Sequence, residues 1–237
     1  CFALILSAST LASTQGGADD AGISAWEFDD VSDTRLNETI DEQGKSSRWS
    51  DAFEGSGTTG DGAYRLSRGT GGTANVYASL DQDTEGKIAV TYVLRGWMFT
   101  GRTAGETLRL GLVDKTHDAR PHVLCQFKVE RTSADEVTVG VEAFGDGSDN
   151  VAETISVGAE SDESLTLRIV YDPNAHRYEG HYAVGDRELI RLGGSKTSPD
   201  RQANYLRIGA TGTLDSTRAE RVDFDRVAVQ VVESEPE

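Results

Sequence analysis

From Ile23 almost to the C-terminus, short runs alternate apolar and polar residues one by one and are broken by clusters of Gly, Asp, Asn and Ser. Side chains of a β-strand point alternately to opposite faces, so this period of two builds half-buried strands, whereas an amphipathic helix needs a period of 3.6. No helical stripe of any length is present. The pattern predicts strands over 23–28, 62–67, 74–80, 87–99, 106–113, 121–131, 136–144, 151–157, 164–171, 177–184, 187–192, 203–209 and 221–232. Many short strands separated by turn signals make an antiparallel sandwich, and 237 residues suit one large all-β domain. Residues 29–61, with four glycines and no alternation, are the longest irregular stretch.

Alternation also sorts the side chains by face. Leu108, Leu110 and Leu112 oppose Thr107, Arg109 and Gly111, and Val123, Cys125, Phe127 and Val129 oppose His122, Gln126, Lys128 and Glu130. Leu165, Leu167, Ile169 and Tyr171 oppose Thr166 and Arg168, and Tyr178, Tyr182 and Val184 oppose Arg177, Glu179 and His181. In 87–99, Ile88, Val90, Tyr92, Leu94 and Met98 oppose Arg95 and Trp97. The first set of each pair is the expected core.

Charge narrows the function. With 23 basic against 40 acidic residues, a net charge of -17, the overall field repels phosphate backbones and anionic bilayers, which argues against nucleic acid and membrane surfaces as partners. A charged fraction of 27% argues against insertion into a bilayer. The apolar run from Cys1 to Ala12 reads as the h-region and cleavage zone of a secretory leader, with the initiating residue and basic flank missing. An acylated Cys1 is the weaker alternative, because the following residues are apolar. The expected organisation is a leader remnant and linker over 1–22, one domain over 23–232 and an acidic tail over 233–237. Loss of the leader leaves Cys125 alone, so no internal disulfide is expected.

Trp26-Glu27-Phe28-Asp29-Asp30 near the start and Val222-Asp223-Phe224-Asp225-Arg226-Val227-Ala228-Val229 near the end, with Leu206-Arg207-Ile208-Gly209 and Leu167-Arg168-Ile169-Val170-Tyr171-Asp172, resemble the concanavalin A-like lectin/glucanase superfamily, including laminin-G-like modules of secreted bacterial proteins. The resemblance implies an antiparallel jelly-roll β-sandwich with both termini on neighbouring strands and a concave sheet turned to a glycan. It also implies a structural Ca2+ on the convex side, for which Glu27, Asp29, Asp223 and Asp225 are the candidate ligands, since calcium takes hard oxygen donors. The four histidines show no zinc-site spacing.

The glucanases of the superfamily carry Glu-x-Asp-x-x-Glu, because retaining hydrolysis needs two carboxyl groups held close together. This chain has no such run. Its alginate lyases carry an Arg-rich strand, a Gln-Ile-His strand and a Tyr-Phe-Lys-x-Gly-x-Tyr strand. The nearest parallels here are Arg109, His122, Gln126 and Tyr182, which match in residue type and not in spacing. A lyase acting on a uronate polymer by β-elimination is therefore the alternative reading.

The outward residues Arg95, Trp97, Arg109, His122, Gln126, Arg168 and His181, joined by Lys128, invert the global charge balance. On neighbouring strands of one sheet they would form a cationic, aromatic groove: Arg binds carboxylate or sulfate through two parallel hydrogen bonds, and Trp stacks on a sugar ring. If they are instead an ordinary solvated face, each arginine pairs across strands with an acid such as Glu142. The expectation is a secreted, non-catalytic glycan-binding module.

Overall fold

The computed structural model describes residues 22–28, 49–51, 58–60, 62–66, 73–80, 86–95, 107–116, 122–133, 136–145, 153–158, 163–211 and 222–232. The 1–22 leader and linker (save Gly22), the 233–237 tail, Asp29 and Trp97 lie outside these residues. The described chain is nearly all strand. In order these are β1 (Gly22–Trp26), β2 (Trp49–Asp51), β3 (Thr58–Gly60), β4 (Ala63–Leu66), β5 (Thr73–Ser79), β6 (Lys87–Arg95), β7 (Thr107–Val113) and β8 (Val123–Ser133). They continue as β9 (Glu136–Ala143), β10 (Glu153–Gly158), β11 (Leu165–Asp172), β12 (Arg177–Val184), β13 (Ile190–Lys196), β14 (Tyr205–Thr211) and β15 (Val222–Val232).

Two antiparallel sheets face each other. The eight-stranded sheet runs β13-β12-β11-β6-β15-β4-β3, with β1 also paired to β15, and the seven-stranded sheet runs β10-β9-β8-β7-β14-β5-β2. Ser24, Ala25 and Trp26 of β1 sit opposite Val229, Ala228 and Val227 of β15, so the first and last strands are neighbours, as the resemblance implies. β2 and β3 fall in the stretch expected to be irregular, and β13 begins three residues later than the run 187–192.

The faces follow the alternation. Leu108, Leu110 and Leu112 of β7, Val137, Val139 and Val141 of β9, and Leu165, Leu167 and Ile169 of β11 are all buried in one core between the sheets. Tyr92 crosses that core: its hydroxyl donates to the main-chain oxygens of Gly111 (3.3 Å) and Arg207 (3.2 Å) in the opposite sheet. One expectation fails locally. A register shift between Leu112 and Val113 pairs Leu112 with Cys125 but Val113 with Val123. Leu124 therefore enters the core, and Val123 turns outward to join Tyr77, Val113, Phe144 and Tyr205 on the outer face of the seven-stranded sheet. An irregularity of this kind shifts the alternation by one residue.

Close approach of the sheets depends on Gly180, which faces inward between Tyr178 and Tyr182. A Cβ there would lie 2.9 Å from Val141 Cγ2, 3.1 Å from Val141 Cβ and 3.3 Å from Phe127 Cε1.

Candidate functional site

The cations expected to share one groove are divided between two outer faces. Arg109 on β7 and Gln126 and Lys128 on β8 belong to the seven-stranded sheet, where Arg109 pairs with Lys128 and Gln126 with Glu142. Arg168 on β11 and His181 on β12 belong to the eight-stranded sheet, in a row Thr91–Arg168–His181–Arg191. Arg95 lies at the end of β6 in that second sheet and donates to Asp225 Oδ2 at 2.5 Å. A period of two fixes the side of a strand on which a residue sits and not the sheet to which the strand belongs, so the single hollow does not form.

Two further expectations change for the same reason. Tyr182 packs against the core from β12, on the inner side of the opposite sheet from Arg109 and Gln126. The set Arg109, His122, Gln126 and Tyr182 that the lyase reading needs is therefore not brought together. Two of the four acids expected to hold calcium face arginines: Glu27 Oε1 is 3.4 Å from Arg226 Nε, and Asp225 is held by Arg95. A guanidinium in each place already supplies the positive charge that the cation would bring. Among the described residues, which do not include Asp29, no group of three or more His, Cys, Asp or Glu is placed to hold a metal ion.

The outer face of the seven-stranded sheet keeps part of the expected groove. Outward positions on β7, β9 and β14 include Gly111, Gly140 and Gly209, and over this bare floor lie Arg109, Lys128 and Arg207. Arg207 is 1% exposed, and its Nε donates to Asn75 Oδ1 at 2.8 Å. A Cβ at Gly209 would fall 2.2 Å from that oxygen and 2.9 Å from Arg207 Nε, so this pair fits only over a glycine. Beside it, Arg109, Val123, Gln126, Lys128, Glu142, Phe144 and Arg207 line a cavity of about 70 Å³. Gln126 Nε2 donates to Glu142 Oε1 at 2.6 Å, and Lys128 is paired with Glu130.

On the eight-stranded face, Glu179 serves both His181 (3.9 Å) and Arg191 (3.7 Å). Burial holds the His181 imidazole below its ordinary pKa, with Glu179 opposing that shift and Arg168 and Arg191 adding to it. The ring is therefore weighted towards its neutral form.

A wider opening lies at the strand ends, at positions outside the expected ligand set. A cleft of about 540 Å³ is bounded by the start of β6, the end of β7, the β11–β12 turn and residues 199–204 before β14. Asp114 is its organising residue. Oδ1 of Asp114 is 3.0 Å from His122 Nδ1, and Oδ2 accepts from Arg201 at 3.3 Å. Asn204 Nδ2 donates to the Asp114 main-chain oxygen at 2.9 Å, and Asp114 N donates to His122 O at 3.0 Å. His122 is thus tied to this strand-end network, away from the row of Arg109 and Lys128.

Across the cleft the β11–β12 turn is fixed by Asp172, whose Oδ1 accepts from Asn174 N (3.0 Å) and Ala175 N (2.9 Å). The turn closes with His176 at φ 48°, a left-handed conformation uncommon outside glycine. His176 lines the cleft, and its buried Nδ1 has no hydrogen-bond partner. Tyr171, on the same wall, has its phenol pushed up to about 12, chiefly by burial, and so stays a neutral hydroxyl. Carboxylate, guanidinium, amide and imidazole groups thus share the cleft with Ile88, Pro173, Pro199 and Ala203. The turn falls in the break between the expected strands 164–171 and 177–184, whereas 199–202 carry no periodic signal and 203–204, expected to open a strand, precede β14.

No protein-family model matches the chain, and no curated protein matches it. Solved structures do. The carbohydrate recognition domain of Emp47p is 13% identical, over 91% of this chain and 99% of that one, with a TM-score of 0.56. The metal-free exoplasmic/lumenal domain of VIP36 is 12% identical, over 86% and 92% of the two chains, with a TM-score of 0.59. The same domain with Ca2+ and Man3GlcNAc bound is 11% identical over 88% and 93%, at 0.58. At such identities the likeness speaks for the backbone alone. The chain has the concanavalin A-like lectin fold, the jelly-roll sandwich of the L-type lectin carbohydrate recognition domains.

Proposed function

We propose that this chain is a non-catalytic glycan-binding module that acts outside the cytosol and holds its ligand in the strand-end cleft. The observation that carries the reading is the cleft itself: about 540 Å³, with Asp114, Arg201 and Asn204 already ordered by mutual hydrogen bonds and a buried His176 Nδ1 awaiting a partner. A cleft of this size is in the range of small-molecule sites, and a ligand that satisfies a buried polar atom gains by doing so. Sugars need planar polar groups for their hydroxyls and apolar patches for their C–H faces, and the cleft supplies both. The fold likeness supports the reading, since VIP36 structures include forms with Man2 and Man3GlcNAc bound. Calcium held between Glu27 and Asp225 is not part of the reading, since each acid has its own arginine.

The test is retention on a glycan array followed by calorimetry with the best oligosaccharide. Arg201→Ala should weaken binding about tenfold or more, from roughly 1.5–3 kcal/mol for a hydrogen bond involving a charged group, and His176→Ala about two- to tenfold, from roughly 0.5–1.5 kcal/mol for a neutral one. Arg187→Ala, an exposed partner of Glu163 on another loop, should leave affinity unchanged. Absence of any retained glycan, or wild-type affinity in both cleft variants, refutes the assignment.

A further inference from the structure

The cavity on the outer face of the seven-stranded sheet has a chemistry of its own. In a chain of 23 basic and 40 acidic residues, three cations, Arg109, Lys128 and Arg207, line this cavity with one acid, Glu142, while Lys128 is also paired with Glu130 beside it. Glu142 is already taken by Gln126 Nε2. Two buried atoms lining the cavity lack partners: Arg109 Nε, a donor, and Oε1 of Gln126, an acceptor on a residue 3% exposed. A buried donor without an acceptor is costly to leave unpaired, so a group that satisfies it gains selectively. Size sets what that group can be. A cavity of about 150 Å³ holds benzene, so one of about 70 Å³ takes a small substituent and not a sugar ring.

We infer that this cavity receives the acidic substituent of a glycan, a carboxylate or a sulfate, with Arg109 as the principal donor, Lys128 as a neighbouring charge and Gln126 Oε1 accepting from the adjacent ring hydroxyl. The inference rests on the glycan-binding reading and adds a ligand class to it. Arg109 precedes Asp114 by five residues, about 16 Å along an extended strand. A ligand that touches both is therefore an oligosaccharide chain running from the cleft over the strand ends.

The probes are a hexauronate, its carboxyl-reduced neutral counterpart and a sulfated neutral hexasaccharide, titrated calorimetrically into the full chain, Arg109→Gln and Lys128→Gln. The wild type should bind the hexauronate or the sulfated sugar at least tenfold more tightly than the reduced one. Arg109→Gln should abolish that preference while holding affinity for the reduced sugar within twofold, and Lys128→Gln should lower the preference in part. Which acidic probe is preferred separates carboxylate from sulfate. In a second readout, the Arg109 Nε–H resonance should shift on adding glucuronate and stay in place with glucose. Equal affinity for acidic and reduced sugars, or a preference that survives in Arg109→Gln, overturns the acidic subsite and leaves glycan binding standing. Binding of no sugar at all, with a silent Arg109 resonance, overturns both.

Discussion

Replacing Gly180 by alanine tests how the two sheets meet. The added methyl would sit 2.9 Å from Val141 Cγ2 and 3.1 Å from Val141 Cβ, closer than packed carbons come, with Phe127 Cε1 at 3.3 Å behind it. Val141 is buried, β-branched and paired into β9, so it has little freedom to withdraw. Overpacking of this kind costs about 1–3 kcal/mol. Restricting the unfolded chain gives back about 0.4–1 kcal/mol, and because the 2.9 Å contact falls on a buried methyl the cost lies in the upper part of its range, which leaves a net loss of about 1–2 kcal/mol. For a chain of this length that corresponds to a fall in Tm of about 2–8 °C. Urea unfolding measures the difference, and the double variant Gly180→Ala/Val141→Ala supplies the control. Removing the opposing methyls should recover part of the loss, so the paired cost falls short of the sum by at least about 0.5 kcal/mol. A Gly180→Ala protein as stable as wild type, or strictly additive costs, would show that the sheets do not meet at this point.

Cys125 is buried with its thiol pushed far above the ordinary range by desolvation, so thiolate chemistry should be suppressed: peptide mapping after iodoacetamide at pH 8 should find it unmodified in the native protein and modified in urea, and rapid native labelling would contradict its burial. His181 should make stability pH-dependent with a definite sign. Its folded pKa is lowered below 6.5, so the unfolded state takes up the proton first. Stability should therefore fall as pH drops from about 6.5 towards the folded value, and the fall should be shallower in His181→Gln. An identical pH profile in the variant would remove burial of His181 as its cause.

The inward set was legible because it needs only the period of two: Leu108 to Leu112, Val137 to Val141 and Leu165 to Ile169 read the same in the chain as in the core. The register shift near Val123 escaped, since an extra residue between paired strands leaves no mark in composition. β2 and β3 are three residues each, too short to display alternation, and β13 runs through Gly193, Gly194 and Ser195, which have low strand preference. Sheet membership was illegible altogether. Arg109 and Arg168 look alike along the chain, yet the order of strands puts them on opposite outer faces. The cleft was missed because Pro199 and Arg201 occupy a connection without period and Asn204 was read as the start of a strand, and only the folded chain brings them to Asp114 and His176.

Amide hydrogen exchange with and without a retained oligosaccharide tests the central claim most directly. The account predicts added protection at residues 114–115, 174–176 and 200–204, the rim of the cleft, with the eight-stranded outer face around Arg168 and His181 unchanged. Protection confined to that eight-stranded face, or none at the strand ends under saturating ligand, would contradict it.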